Sequence, residues 1–188
     1  MSDIFVMLDL ETLGNRINPV IVQISAVAFT LEGGSVSEEF NVLVDRESCE
    51  NVGLETNEST LQWWSEQSKE AKSIVFDNSK DRLGIRNALQ HFDRYLKSLK
   101  HYGDNVYLWG NGIRADNVWL LSAYKAIGAE DPISYNQDLD YRTLHYLSKK
   151  KTGIDFKKQT EFKGVQHNAI DDCKYQIECA VKMWESLL

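Results

Sequence analysis

The chain opens with a short, nearly unbroken apolar run, Ile4 to Leu10, rich in strand-forming residues, as expected of a central strand covered on both faces. The run closes on Asp9 and Glu11, an unusual ending for a core strand. Pro19 breaks the following loop, Val20 to Leu31 resumes as a long strand with partial alternation, and the Gly33-Gly34 turn leads to a third strand over Glu38 to Val44. Short connections between three successive strands predict an antiparallel meander. After Asp45 the pattern turns helical. Asn57 to Gln67 carries a cap signal at Ser59 and Thr60 before Trp63-Trp64, and Asp81 to Leu99 repeats Leu83, Leu89, Phe92, Leu96 and Leu99 at helical spacing, with a polar, loop-like stretch between them. Asn105 to Trp109 is a second buried-strand candidate ended by Gly110-Asn111-Gly112, and Asp116 to Ile127 reads as a helix. Asp140 to Ser148 looks helical, Lys149 to Gly164 reads as a basic loop, and His167 to Leu187 closes the chain as an amphipathic helix through Ile170, Ile177, Ala180, Val181 and Trp184. Strands first, then alternating helices and strands, predict a mixed sheet with helices on its faces.

Length and composition narrow the class. The 188 residues correspond to one domain, residues 1–188, and a chain that is 43% hydrophobic and 26% charged is neither fibrous nor largely disordered. Lys plus Arg number 21 against 28 Asp plus Glu, a net charge of −7, so any contact with nucleic acid must be local. The first ten residues lack a basic flank and are interrupted by acids, unlike a signal peptide, and no apolar run approaches the roughly 20 residues that span a bilayer. No membrane partner is expected. Cys49, Cys173 and Cys179 are odd in number and show no metal spacing, which predicts a reducing, cytoplasmic setting, with Cys173 and Cys179 packing as small apolar residues.

The candidate chemistry starts at Asp9-Leu10-Glu11-Thr12, where carboxylates at i and i+2 point to one side of an extended chain. Burying both without a cation is costly, which points to a hard divalent metal with oxygen ligands; a strand end meeting solvent is the plain alternative. Asp116 opens a helix, where a carboxylate also serves as an ordinary N-terminal charge. His167 lies near the start of the last helix with Asp172 a little over one turn further on, while Asp171, rotated by roughly 100°, reads as a solvated first-turn acid. Four acids from three segments together with one histidine form the inventory of a two-metal phosphodiester site: ligands for the ions and a base to activate water.

These motifs, in this order, resemble the DEDDh 3′-to-5′ exonucleases. The carriers are Asp9-Leu10-Glu11-Thr12 after an apolar strand, Asn111-Gly112-Ile113-Arg114-Ala115-Asp116, and His167 followed five positions later by Asp172. Thr60-Leu61-Gln62-Trp63-Trp64, Trp109-Gly110-Asn111-Gly112 and Asp140-Tyr141-Arg142-Thr143 extend the likeness toward the exonuclease VIII-like branch. Ala115 departs from the pattern, standing where many relatives carry an aromatic residue. The resemblance implies an α/β ribonuclease H-like fold, a central mixed five-stranded sheet whose first three strands are the meander, flanked by helices. It makes Asp9, Glu11, Asp116 and Asp172 the ligands of two Mg²⁺ ions, replaceable by Mn²⁺, with His167 as general base, water as nucleophile and nucleoside 5′-monophosphates as products.

Single-stranded 3′ ends are the implied partner, with DNA the expected substrate and RNA the alternative; a non-catalytic nucleic-acid-binding module is the competing class. Expected substrate contacts are Thr12, Leu13, Asn111, Trp63 and Trp64, of which the adjacent indoles cannot both face one core. Lys149, Lys150, Lys151, Lys157, Lys158 and Lys163 either track a phosphate backbone or form a solvated charged loop. Relatives are often dimers, so a homodimer is a further expectation, although core packing is the simpler reading of Trp119 and Trp184.

Overall fold

The computed structural model describes residues 3–102 and 105–188. Its strands are β1 (Asp3–Thr12), β2 (Ile21–Thr30), β3 (Gly34–Leu43), β4 (Asn105–Gly110) and β5 (Asp138–Asp140). They form one sheet in the order β3-β2-β1-β4-β5. The first three strands pair antiparallel as expected, while β4 joins the other edge of β1 in parallel and β5 joins β4 in parallel. The helices are α1 (Arg46–Glu50), α2 (Glu58–Ser65), α3 (Lys69–Phe76), α4 (Ile85–Ser98), α5 (Asp116–Ala126), α6 (Tyr141–Thr152), α7 (Phe156–Gln159) and α8 (Ala169–Glu185).

The central strand sorts its side chains by parity. Ile4, Val6, Leu8 and Leu10 pack into a core shared with α4 and α5, through residues such as Leu89, Phe92 and Tyr124. Phe5 and Met7 meet a second core, which α6 and α8 fill with Tyr141, Leu144, Cys173 and Ile177. The same alternation carries Asp9 and Glu11 onto the α8 face, at the point where the apolar row runs out. In the parallel β1–β4 ladder Gly110 lies beside Leu8, so β4 leaves the sheet next to Asp9. Glycine is required there, because a β-carbon on Gly110 would sit 2.0 Å from Asn117 Oδ1 at the start of α5.

The structure corrects several element boundaries. The stretch after Gln67 is not a loop: Ser68 accepts a hydrogen bond from Ala71 N and starts α3, whose short apolar side, Ala71 and Val75, escapes a periodicity reading. Asn57, not Ser59 or Thr60, caps α2 by accepting from Ser59 N. Helix α4 begins only at Ile85, because Leu83 is held extended in a bridge to Val44. Half of the segment expected to be a basic loop is helical: Lys149, Lys150 and Lys151 lie in the last turn of α6, which ends at left-handed Gly153, and α7 follows. The last helix starts at Ala169, since His167 has φ 64° and cannot belong to it. The three cysteines are buried and free. Among the described residues no helix is long and apolar enough to cross a membrane.

Candidate active site

Strand β1 and helix α8 bring three of the predicted acids together. Carboxylate oxygens of Asp9, Glu11 and Asp172 all lie within 4.8 Å of one another. Gln176, one turn after Asp172 and 3% exposed, donates from Nε2 to Asp9 Oδ1 at 2.8 Å. Asp116 stands apart from this trio. Its Oδ1 accepts from Leu10 N at 3.2 Å and its Oδ2 from Asn111 N at 3.0 Å, tying the start of α5 to both β1 and the turn after β4.

The first turn of α8 is fixed to the sheet by Gln23. In the β1–β2 ladder this residue lies opposite Glu11, and it is 1% exposed. Its Nε2 donates to Asn168 Oδ1 at 2.9 Å and to Asn41 Oδ1 at 3.0 Å, and its Oε1 accepts from Ala169 N at 3.3 Å. Asp171 is not the solvated acid that its helix position suggests. It accepts from Val165 N and from Asn168 Nδ2, both at 2.9 Å, and so holds the loop that carries His167.

His167 sits on the lip of the trio. Its backbone N donates to Asp172 Oδ2 at 2.9 Å, and its ring meets Trp63 edge-on with centroids 4.8 Å apart. The structure separates the two adjacent indoles that sequence could not assign. Trp64 is fully buried and donates from Nε1 to Thr12 O at 2.9 Å, whereas Trp63 is 41% exposed. Both line a cleft of about 410 Å³ together with Glu11, Thr12, Asn15 and Trp119. Trp119 is therefore half-buried core on one side and cleft wall on the other. Thr12 turns its hydroxyl to Gly14 O at 2.7 Å. Leu13, an expected substrate contact, is 1% exposed and packs in the core away from this cleft. Asn111 stays near Asp116, accepting on Oδ1 from Arg142 Nε at 3.4 Å.

Burial and mutual repulsion load this cluster with unfavourable charge. Burial raises Asp9 well above the ordinary carboxylate range, and Asp116, Glu11 and Asp172 push it the same way. Glu11 is raised by burial, then by Asp172 and Asp116. Burial pushes Asp116 up to about 6, against its backbone hydrogen bonds and the Arg142 guanidinium. Asp172 is likewise pushed up to about 6 by burial, with Asp171 adding to the shift and the His167 N–H opposing it. Crowded buried carboxylates of this kind are relieved by hard cations, so Asp9, Glu11 and Asp172 can hold a divalent metal. Burial also lowers the His167 pKa, which favours the neutral imidazole that accepts a proton.

A family model described as the 3′-5′ exoribonuclease Rv2179c-like domain matches residues 4–184, a span that includes Asp9, Glu11, Asp116, His167 and Asp172. The chain belongs to this family. Its description names the class of activity, 3′-5′ exonucleolytic, that the order of the acidic motifs implied. Solved structures of DEDDh nucleases share its ribonuclease H-like fold. Cell-death related nuclease 4 (CRN-4) superposes with a TM-score of 0.70 at 14% identity, over 97% of this chain and 64% of that one. The nuclease domain of 3′hExo, a DEDDh family member solved with rAMP, gives a TM-score of 0.60 at 14% identity, over 97% and 92% of the two chains. Exonuclease I of E. coli, solved with a dT13 oligonucleotide, gives 0.60 at 14% identity, over 99% and 41%. The chain thus spans under two thirds of the length of CRN-4 and of exonuclease I. No curated protein sequence matches it.

Two residues of the site were passed over in the sequence, Gln23 and Gln176. Gln23 carries a signal, an amide in a stretch, Val20 to Val27, that is apolar apart from Ser25; Gln176, set between Lys174 and Glu178, carries none.

Proposed function

We propose that the chain is a metal-dependent exonuclease that shortens single-stranded RNA from the 3′ end and releases nucleoside 5′-monophosphates. The observation that carries this reading is the meeting of Asp9, Glu11 and Asp172 within 4.8 Å at the mouth of a cleft walled by Trp63 and Trp119. RNA is preferred because the family matched over residues 4–184 is described as exoribonuclease. DNA, the substrate expected from the motifs, is the second reading, favoured by the likeness to exonuclease I solved with dT13.

In this reading Asp9, Glu11 and Asp172, together with Asp116, would hold two Mg²⁺ or Mn²⁺ ions. When bound, such ions stabilise charge developing on the phosphate and make water a better nucleophile. His167 takes the proton of the attacking water on its imidazole, and the bond from phosphorus to the 3′ oxygen of the preceding nucleotide breaks. Trp63 restrains the His167 ring from one side and offers its exposed face to the terminal base, whose stacking is tolerant of sequence. Gln176 holds Asp9 in orientation, and Asp171 with Gln23 fixes the loop that presents His167.

A time course on 5′-labelled single-stranded RNA and DNA of matched sequence, with Mg²⁺, with Mn²⁺ and with excess chelator, tests the proposal. A ladder shortening from the 3′ end of RNA, present with metal and absent with chelator, is the expected result. Shortening of DNA alone moves the assignment to the second reading. No shortening of either leaves a binding module.

A further inference from the structure

The lysine-rich segment before the third motif finds no use in the catalytic site, and its placement suggests one. On α6, Arg142, Tyr146 and Lys150 stand at i, i+4 and i+8, hence on one face of the helix. All three are exposed, and Tyr146 is 61% exposed, far more than its size requires. At the upper end of this stripe Arg142 Nε reaches Asn111 Oδ1 at 3.4 Å, and Asn111 N in turn binds Asp116 Oδ2 at 3.0 Å. The stripe therefore starts at the edge of the candidate metal site and runs away from it. At its lower end Lys150 Nζ lies 5.9 Å from the centre of the Tyr146 ring, beside a groove of about 500 Å³ lined by His145, Tyr146, Lys149, Lys150 and Gly153.

The acid nearest this groove is already spent. Asp155 is held by Lys149 at 2.8 Å and by His145 at 3.1 Å, and among the described residues neither Arg142 nor Lys150 has a salt bridge. Cations in a last helical turn offset the helix dipole, which accounts for Lys149 to Lys151 being basic. It does not account for an exposed tyrosine one turn above them, in line with an arginine at the active-site end. Alternating guanidinium, aromatic ring and ammonium is the pattern that binds successive phosphates and bases of a single strand.

We propose that the Arg142–Tyr146–Lys150 stripe is the track for the substrate strand upstream of the scissile bond, with a base stacked on Tyr146 and backbone phosphates at Arg142 and Lys150. This deepens the exonuclease reading and rests on it. Eight residues of α-helix rise about 12 Å, enough for about three nucleotides of a stacked strand at about 3.4 Å each. The track engages only substrates longer than a dinucleotide.

The test compares the wild-type protein with Tyr146→Ala/Lys150→Gln, both positions exposed and remote from the acids. Anisotropy of a labelled single-stranded RNA of about twelve nucleotides, titrated in chelator so that no hydrolysis occurs, reads the track without needing activity. The double variant is expected to bind about tenfold more weakly and to show a salt slope shallower by about 0.7 for the lost phosphate contact. In Mg²⁺ its KM for the same RNA rises while kcat and turnover of a dinucleotide stay at wild-type values. Equal affinity and equal salt slope in the two proteins overturn the track, as does an equal loss on the dinucleotide. The expected binding difference without any metal-dependent shortening refutes the exonuclease reading and leaves the stripe as a site that binds a single strand without cutting it.

Discussion

At the scale of single residues, the site is a compromise between burial and charge. Asp172 and Asp116, both pushed up to about 6, keep protons in the folded chain that the unfolded chain releases near pH 4. Groups whose folded pKa is raised reduce stability as pH rises, so the metal-free protein loses stability from about pH 4 through about pH 6 and stays at the lower level above it. Asp9 and Glu11 act with the same sign. Thermal unfolding in chelator should therefore show a falling Tm over that window, and Asp172→Asn should flatten the fall while abolishing turnover. A Tm that rises with pH through the same range contradicts the charge crowding. His167→Ala should leave this profile and metal-induced stabilisation intact, because His167 bonds to Asp172 through its backbone. Its rate should drop by about 10²–10⁴-fold, the usual share of a general base, measured as kcat at saturating Mg²⁺.

At the scale of elements, catalytic geometry depends on how β2 grips α8. Gln23 makes three hydrogen bonds from inside the sheet, two of them to Asn168 and Ala169 at the helix start. Gln23→Ala leaves buried partners unsatisfied, an expected cost of about 1–3 kcal/mol in denaturant unfolding, and frees the first turn of α8. The kcat should fall with little change in KM, since the substrate cleft is built from β1, α2 and α5 instead. How much of this was legible varies by element. Asp9 and Glu11 announced themselves because charged residues interrupt an apolar strand, and the long helices α4, α5 and α8 because their periodicity lasts several turns. Helices α1, α3 and α7 are too short to show a period, and their capping residues lie in polar stretches that resemble loops. Which of Trp63 and Trp64 meets solvent depends on the hydrogen bond from Trp64 to Thr12, a contact between distant parts of the chain. Asp171 misled for the same reason: its partners, Val165 and Asn168, are set by the path of the loop and not by helical phase.

At the scale of the whole molecule, a net charge of −7 makes most of the surface repel a polyanion. The motif spacing conveyed the fold and the family, because strand β1, the turn before α5 and the start of α8 must converge for those acids to make chemical sense. It conveyed nothing about the route of the substrate, which depends on which lysines are left unpaired once α6 and α7 are in place. Among the described residues Lys149 is engaged by Asp155, whereas Lys150 has no ion pair and lies over the Tyr146 ring.

The trio of carboxylates also has a place in time. Two of its members lie in β1, and Asp172 follows 161 residues after Glu11. At about 5–20 residues per second, roughly eight to thirty seconds separate their synthesis. Until α8 docks, β1 shows a pair of acids on an uncovered sheet face and no third ligand. The carboxylate trio is thus a late product of folding, complete only when α8 closes over the sheet.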